Sequence, residues 1–183
     1  MTKQIAVFGA SVTPPDHPDY QAAVTCGALL ARSGFAVATG GYGGLMEAVS
    51  RGAAEAGGHV VGITAPSLFP SRPGANDYVA EERPAPSLAE RIHDILATSA
   101  AAIALQGSIG TLTELMVAWN DSFIAALDGN RGRPLVAVGP VWAELVAEIG
   151  ERLQTDVAPV TCVPDVETAV AEVVRQVSSG APG

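Results

Sequence analysis

Short apolar segments alternate with longer amphipathic segments along this chain. Residues 4–9, which read QIAVFG, have the continuous apolar character of a buried strand, and residues 19–33 then show helical spacing. Further strands are predicted at residues 36–39, 60–64, 100–105, 134–138 and 159–163, and further helices at 45–56, 87–98, 111–126, 142–153 and from 165 onward. Short apolar strands separated by helices predict an α/β fold, a Rossmann-like, doubly wound parallel sheet with helices on both faces.

The alternation is interrupted between residues 65 and 86. This segment is rich in proline and contains Arg72 and Arg83. It predicts a long loop. Because loops of this length are uncommon in compact domains unless they are functional, we expect a lid or an interface segment here. The helix after the loop opens with Ser87 and Glu90 at the spacing of a capping box.

Length and charge narrow the class of protein. The 183 residues suit one α/β domain over residues 1–177, followed by a flexible tail at 178–183. The net charge is −9, and no segment concentrates Lys and Arg as a nucleic-acid interface requires. No apolar run is long enough to span a membrane, and the N-terminal residues lack the pattern of a signal peptide. We therefore expect a cytoplasmic protein that binds neither nucleic acid nor membrane.

Lysine and cysteine usage excludes several common chemistries. Lys3 is the single lysine of the chain, so a Schiff base to pyridoxal phosphate and a Walker phosphate loop both lack their essential residue. Cys26 and Cys162 lie in separate apolar stretches, without a CxxC pair or a His at metal-ligand spacing. We expect both thiols to be reduced and buried, and we expect no metal and no cofactor.

Three of the predicted strands end in glycine or small residues. Because the carboxyl ends of parallel strands lie at one edge of a sheet, the loops that follow them should form one ligand site. Glycine lets the backbone approach a ligand, and the N–H groups at a helix N-terminus attract an anion, so a phosphate is the expected ligand. The residues expected to bind it are Ser11, Gly40, Gly41, Gly43, Gly44, Gly107, Ser108, Ile109, Gly110 and Thr111.

Arg91 and Glu114 are the candidate catalytic residues beside this phosphate. Glu114 lies one turn into the helix after the third glycine loop, and Arg91 lies on the preceding helix, so the two side chains could flank one small substrate. Two simpler interpretations remain open. Thr111 and Glu114 have the spacing of a capping box, and Arg91 could pair with Asp94 on the helix surface.

These motifs resemble those of the LONELY GUY (LOG) phosphoribohydrolases over nearly the whole chain. VFGAS is similar to the family's VFCGSS, TGGYGGLMEAVSRGA is similar to GGGxxGLMGxVA, and QGSIGTLTE stands in the place of PGGxGTxxE. The last match sets the register of Glu114, whereas Arg91 matches by its spacing, within ERIHD where the family carries HxRK. The chain differs at Gln106, Ser108 and Glu47, where the family has proline, glycine and glycine.

The resemblance implies a reaction. Such an enzyme hydrolyses the N-glycosidic bond of a nucleoside 5'-monophosphate, AMP or a cytokinin riboside monophosphate, to free base and ribose 5-phosphate. Glu114 would orient the water, and Arg91 would hold the ribose and phosphate or the departing base. The main alternative is a non-catalytic nucleotide-binding protein of the same superfamily. A lysine decarboxylase is excluded by the missing lysine, and an NAD-dependent dehydrogenase by the missing GxGxxG.

The resemblance also implies a homodimer whose site is completed at the subunit interface. The helix after the third glycine loop has an apolar face that fits either of two roles. It packs in the core of one subunit, or it binds a partner helix. The residues of this face are Leu115, Met116, Ala118 and Trp119.

Overall fold

A computed structural model describes residues 2–72 and 74–179 of the chain. Within these residues, seven strands and six helices follow one another. The strands are β1 (Gln4–Phe8), β2 (Ala36–Thr39), β3 (Val60–Thr64), β4 (Glu81–Pro84), β5 (Ala101–Ala104), β6 (Leu135–Val138) and β7 (Val160–Val163). The helices are α1 (Pro18–Arg32), α2 (Leu45–Glu55), α3 (Leu88–Ala97), α4 (Ile109–Leu127), α5 (Pro140–Leu153) and α6 (Val166–Ser179).

The strands form one parallel sheet in the order β4-β3-β2-β1-β5-β6-β7. Strands β2, β3 and β4 are added in turn on one side of β1, and β5, β6 and β7 are added in turn on its other side. Phe8 at the end of β1 is opposite Ala104 at the end of β5, so the loops that follow these two strands begin side by side. This reversal of strand order is the point at which open α/β sheets bind ligands.

Helices cover both faces of the sheet, as the sequence predicted. Successive residues of a strand point to opposite faces. Ile5 and Val7 of β1 pack with α1, α2 and α6, whereas Ala6 and Phe8 pack with α3, α4 and α5. The predicted doubly wound α/β fold is therefore confirmed.

Helices α1 and α2 are packed so closely that their backbones touch. A Cβ atom at Gly27 would lie 2.1 Å from the Val49 carbonyl oxygen, and one at Gly52 would lie 1.9 Å from the Val24 carbonyl oxygen. Each helix therefore needs a glycine at this crossing. The close packing fixes α2, whose first residue follows the second glycine loop, against the rest of the sheet.

The prediction of a long loop over residues 65–86 is partly wrong, because residues 81–84 form β4. Among the described residues this edge strand pairs only with β3, and its side chains are mostly exposed. An exposed edge strand needs no apolar alternation and tolerates a proline at its end, so Glu-Glu-Arg-Pro carries no strand signal. In the remainder of the segment, Asn76 is hydrogen-bonded to the loop after β2, at the carboxyl edge of the sheet.

Three helix ends differ from the prediction by about two residues. Helix α4 begins at Ile109 rather than at residue 111, and α5 begins at Pro140 rather than at residue 142. Helix α6 continues through Ser179 into the segment predicted as a tail from residue 178. Residues 180–183 of that tail lie outside the described part of the chain. Across the residues that are described, no helix is long and apolar enough to cross a membrane.

Candidate active site

The three glycine loops meet at the carboxyl edge of the sheet. The loop after β1 lies between the other two and is hydrogen-bonded to both sides. The Ala10 N–H donates to the Gln106 carbonyl oxygen at 3.0 Å, and the Leu45 N–H donates to the Ala10 carbonyl oxygen at 2.8 Å. The loops after β1, β2 and β5 therefore form one continuous surface.

Arg91 is buried beneath this surface rather than exposed on α3. Only 6% of the residue is accessible. Its Nε donates to the Ile63 carbonyl oxygen at 2.8 Å, and its Nη2 donates to the Gly40 carbonyl oxygen at 3.1 Å. Gly40 permits this approach, because a Cβ atom there would lie 1.7 Å from Nη2. A surface ion pair with Asp94 is incompatible with this burial, so that simpler interpretation is wrong.

Glu114 faces Arg91 from α4 and is also buried, with 8% of the residue accessible. Its Oε1 lies 3.7 Å from Arg91 Nη1, which is an ion-pair distance longer than a hydrogen bond. Burial raises the pKa of Glu114 to about 7, although the Arg91 charge opposes the shift. Burial likewise lowers the pKa of Arg91, against the attraction of Glu114. A carboxyl group that titrates near neutral pH is suited to general acid–base catalysis.

Ser108 is the N-cap of α4, which excludes the capping role considered for Thr111. Since the helix begins at Ile109, Thr111 lies inside the first turn and cannot cap it. The capping-box interpretation of Thr111 and Glu114 is therefore wrong. Within the described residues, the Ser108 side chain makes no capping hydrogen bond to α4. Its hydroxyl group and the first N–H groups of the helix are thus available to an anion.

The residues of this loop divide into two groups. Thr111 is buried against Gly107, where a Cβ atom would lie 2.1 Å from the Thr111 hydroxyl oxygen. These two residues shape the turn. Ile109 is 75% exposed, and apart from its chain neighbours and the nearby backbone of α4, no described atom lies within 4 Å of the position that a Cβ would take at Gly110. A ligand can therefore approach the helix start over Ser108, Ile109 and Gly110.

The second glycine loop has a backbone that requires glycine at two positions. Gly41 and Gly44 have φ values of 76° and 66°, and a Cβ atom at Gly44 would lie 2.4 Å from the Ala10 carbonyl oxygen. Asn76 holds the loop from the other side, because its Nδ2 donates to the carbonyl oxygens of Gly41 and Tyr42, each at 3.0 Å. The segment between β3 and β4 is thereby attached to the site.

A cavity of about 560 Å³ opens between this loop and residues 72 and 74–78. Tyr42 forms one wall: the Arg72 guanidinium lies 4.5 Å from the centre of its ring and 4.4 Å from that of Phe69. The Arg91 guanidinium lies 5.7 Å from the centre of the same Tyr42 ring. The cavity therefore shares a wall with the Arg91–Glu114 pair. Its lining includes Ser11, Tyr42, Gly43, Glu47, Arg72 and Asn76.

Sequence reasoning assigned no role to Tyr42 or Asn76. The position of Tyr42 could have indicated a role. It is a large aromatic residue between two glycine pairs, so its ring could be expected to line the cavity beside this loop. Asn76 carried none, because its partners are backbone groups about 35 residues away. Only the folded chain brings these groups together.

Gln106 is hydrogen-bonded to the neighbouring strand β6. Its Nε2 donates to the Val138 carbonyl oxygen at the end of β6, at 3.2 Å. It also lines a second cavity, of about 330 Å³, between the ends of β5 to β7 and the starts of α1 and α6. In residues 2–72 and 74–179, no group of three His, Cys, Asp or Glu side chains is arranged to hold a metal ion.

The fold defines a Rossmann-like α/β protein, and its candidate ligand site lies at the reversal of strand order. Within that class, the chain belongs to the SLOG cluster4 family, whose sequence model matches residues 2–130. The match covers all three glycine loops together with Arg91 and Glu114. It confirms the resemblance to the LOG family that the motifs indicated.

Curated relatives carry names from the same family. A cytokinin riboside 5'-monophosphate phosphoribohydrolase of Mycobacterium tuberculosis is 32% identical over 138 residues, which are 74% of this chain and 70% of that protein. A probable cytokinin riboside 5'-monophosphate phosphoribohydrolase of Oryza sativa subsp. japonica, LOGL5, is 37% identical over 116 residues. That match covers 62% of this chain but 46% of the rice protein, so the chain spans about half the length of this relative.

Solved structures share the fold over almost the whole chain. The molybdenum cofactor binding protein of Rippkaea orientalis superposes with a TM-score of 0.74 at 24% identity, covering 97% of this chain and 98% of that one. The molybdenum cofactor carrier protein of Chlamydomonas reinhardtii superposes with a TM-score of 0.72 at 22% identity, covering 98% and 99%. At such identities the similarity shows the common fold.

Proposed function

We propose that this protein is a hydrolase that cleaves the N-glycosidic bond of a nucleoside 5'-monophosphate, AMP or a cytokinin riboside monophosphate, to free base and ribose 5-phosphate. The observation that carries the proposal is the buried Arg91–Glu114 pair, in which Glu114 has a pKa of about 7 beside an open helix N-terminus. The names of the curated relatives support the same reaction.

The 5'-phosphate binds at the start of α4. The exposed N–H groups there and the Ser108 hydroxyl group provide hydrogen-bond donors, and the helix dipole favours a negative charge. Glu114 lies five residues further along the helix than Ile109, a rise of about 7 Å. A ribose bound through its 5'-phosphate would bring its C1' atom towards this carboxylate.

Glu114 acts as a general base in this scheme. As the bond between C1' and the base nitrogen breaks, its electron pair leaves with the base, and the sugar gains oxocarbenium character. Water attacks C1' and gives a proton to the Glu114 carboxylate, while the departing base takes a proton from solvent. Because the carboxylate is the active form, kcat/KM should rise as pH increases through about 7, since this parameter follows ionisation of the free enzyme.

Arg91 is a positioning residue in this proposal. Two of its nitrogens donate to backbone carbonyl groups, so the guanidinium is fixed in place and holds its charge opposite Glu114. This positioning role adds to the expectation that Arg91 holds the ribose and phosphate or the departing base, which stays a prediction. An Arg91→Lys variant keeps the charge but loses the planar set of donors, and we expect it to lose most activity.

The proposed enzyme is a homodimer. Leu115, Ala118 and Trp119 are buried in the core of one subunit, and Met116 packs half-buried against that core, so this face of α4 is a core face. A different stripe of α4 remains exposed, formed by Ile109, Val117, Ile124 and Leu127 at helical spacing. A partner subunit on this stripe would lie next to the phosphate loop. Size-exclusion chromatography with light scattering tests this assembly, and a strict monomer would contradict it.

The reaction is tested by incubating the protein with AMP, CMP, GMP and UMP and measuring free base by chromatography. The wild-type protein should release base, and Glu114→Gln should lose about 10²-fold or more of this activity. Glu151→Gln, at an exposed position of α5, is the matched control and should remain active. A ligand-dependent rise in melting temperature without base release would instead favour the alternative, a protein that binds nucleotides without cleaving them.

A further inference from the structure

Glu47 places a carboxylate in the cavity beside Tyr42, where the LOG pattern has a glycine. It lies in the first turn of α2 and shares the cavity lining with Arg72 and Asp77. A Cβ atom at Gly43 would lie 3.8 Å from Glu47 Oε2 and 3.7 Å from the Ser11 carbonyl oxygen. The carboxylate therefore faces the open space in front of Gly43.

The charges in this cavity are unsuited to a phosphate. Two carboxylates, of Glu47 and Asp77, and one guanidinium, of Arg72, surround the space. A phosphate would be repelled by the carboxylates, and Glu47 already lies at the N-terminus of α2, where an anion would otherwise bind. The cavity at the second glycine loop therefore suits an uncharged group that offers hydrogen-bond donors. The phosphate would bind at the start of α4 instead.

We propose that this cavity is the base subsite and that Glu47 selects bases with an exocyclic amino group. The proposal rests on the proposed function, since it assumes a nucleotide whose phosphate lies at the start of α4. The phosphate loop follows β5 and the cavity lies beyond β2, two strands away in the sheet. Two strand spacings are about 10 Å. This is about the length of a nucleotide from its phosphate to its base, so the ribose would cross the end of β1.

The polarity of the two charged side chains matches the edge of an amino-bearing base. An ionised carboxylate only accepts hydrogen bonds, whereas a guanidinium only donates them. Adenine and cytosine offer an amino donor beside a ring nitrogen that accepts, which complements Glu47 beside Arg72. Hypoxanthine and uracil carry the reverse pattern, a carbonyl oxygen beside a ring N–H. Their carbonyl oxygen would lie against the Glu47 carboxylate.

Arg72 is held in a way that leaves its donors available. Its guanidinium packs against the rings of Tyr42 and Phe69, which meet edge to face with centroids 5.4 Å apart. Contacts through the flat face of a guanidinium leave the N–H groups at its edge able to bind a ligand. The cation is thereby placed in the cavity by aromatic packing.

The test compares matched nucleotides that differ at one position of the base. We expect kcat/KM for AMP to exceed that for IMP, and that for CMP to exceed that for UMP, each by about tenfold or more, as for a hydrogen bond to a charged group. Glu47→Gln should reduce both ratios towards one, because an amide both donates and accepts. Glu55→Gln, an exposed change on the same helix, should leave both ratios as they are.

A second variant tests the place of the base. Gly43→Ala adds a methyl group that meets only ordinary contacts, so the fold should be retained, but the methyl enters the cavity. We expect a higher KM for every nucleotide and an unchanged urea midpoint. An unchanged KM would show that the base binds elsewhere.

The outcomes separate this inference from the proposed function. If AMP and IMP are cleaved equally well, or if Glu47→Gln keeps the preference for amino-bearing bases, the proposed role of Glu47 in a base subsite is wrong. The proposed hydrolase function would still stand. If none of AMP, IMP, CMP and UMP is cleaved, the proposed hydrolase function is wrong. Equilibrium binding of AMP and IMP to the wild-type protein then tests whether the cavity is a base subsite. Tighter binding of AMP would support it, and equal binding or none would overturn it.

Discussion

Replacing Glu114 by glutamine should make the protein more stable at neutral and alkaline pH while removing its activity. Glutamine has nearly the shape of the protonated carboxyl group but cannot ionise. The pKa of Glu114 is about 7 in the folded protein, against an ordinary value of 4.5. Between these values the folded protein keeps a proton that the unfolded chain has released. The free energy of unfolding of the wild-type protein therefore falls as pH rises from 4.5 to about 7.

The size of the effect follows from the two pKa values. Each pKa unit corresponds to about 1.4 kcal/mol, so their separation amounts to about 3 kcal/mol. This stability is fully present below pH 4.5 and is lost above about 7. The glutamine variant does not titrate at this position. The two proteins should thus be similar in stability at acid pH, and the variant should be more stable by about 3 kcal/mol at alkaline pH.

Urea unfolding followed by tryptophan fluorescence measures this difference. Trp119 and Trp142 are both 3% exposed, so unfolding should change the emission of each. The titrations should run between about pH 5.5 and 8.5, because the sequence pI is about 4.6 and a protein near zero net charge precipitates. The gap between the two proteins should widen by about 2 kcal/mol over this range.

An exposed carboxylate provides the control. Glu151 lies on the solvent side of α5, and Glu151→Gln should follow the wild-type protein across the pH range. If the curves for Glu114→Gln and wild type were parallel at every pH, burial would not disfavour the charged form of Glu114. The assignment of Glu114 as a base that titrates near neutrality would then fail. A substitution that stabilises the fold while removing turnover is the behaviour expected at a functional site.

Three further predictions concern packing around the site. Gly52→Ala should lower the free energy of unfolding by about 1–3 kcal/mol in urea titrations, because its methyl group meets the Val24 carbonyl oxygen of α1; wild-type stability would contradict the close helix contact. Gly107→Ala should displace Thr111 and abolish activity, whereas Gly110→Ala should fold normally and raise KM. Similar kinetics for both variants would contradict the assignment of Gly107 to the turn and of Gly110 to the ligand approach. Burial raises the pKa of Cys26 to about 12, so a thiol reagent followed by mass spectrometry should label it only after denaturation.

The sequence predicted most of the sheet because the central strands are short and buried on both faces. Such strands are continuous apolar runs, and the predicted limits of β2 and β3 match the observed ones. The edge strand β4 was missed for the opposite reason. Its side chains are largely exposed, so no apolar pattern distinguishes Glu81–Pro84 from a loop.

The candidate site was predicted in part. Glycine loops and the spacing of Glu114 behind the third loop are local features, and a parallel sheet brings the ends of its strands to one edge. Arg91 was expected near Glu114, but its burial and its bonds to the carbonyl groups of Ile63 and Gly40 were not. Those partners lie 28 and 51 residues away along the chain. No periodic pattern reports contacts of that kind.

The amino-acid sequence by itself determined the alternation of strands and helices, the glycine loops, and the residues that they place at one edge of the sheet. Periodicity and backbone freedom are properties of neighbouring residues, so a chain displays them before it folds. The tertiary structure alone decided that Thr111 shapes a turn, that Glu47 faces a cavity, and that the pKa of Glu114 lies near 7. Ionisation depends on how much water and how much charge surround a group, and packing between distant segments sets both.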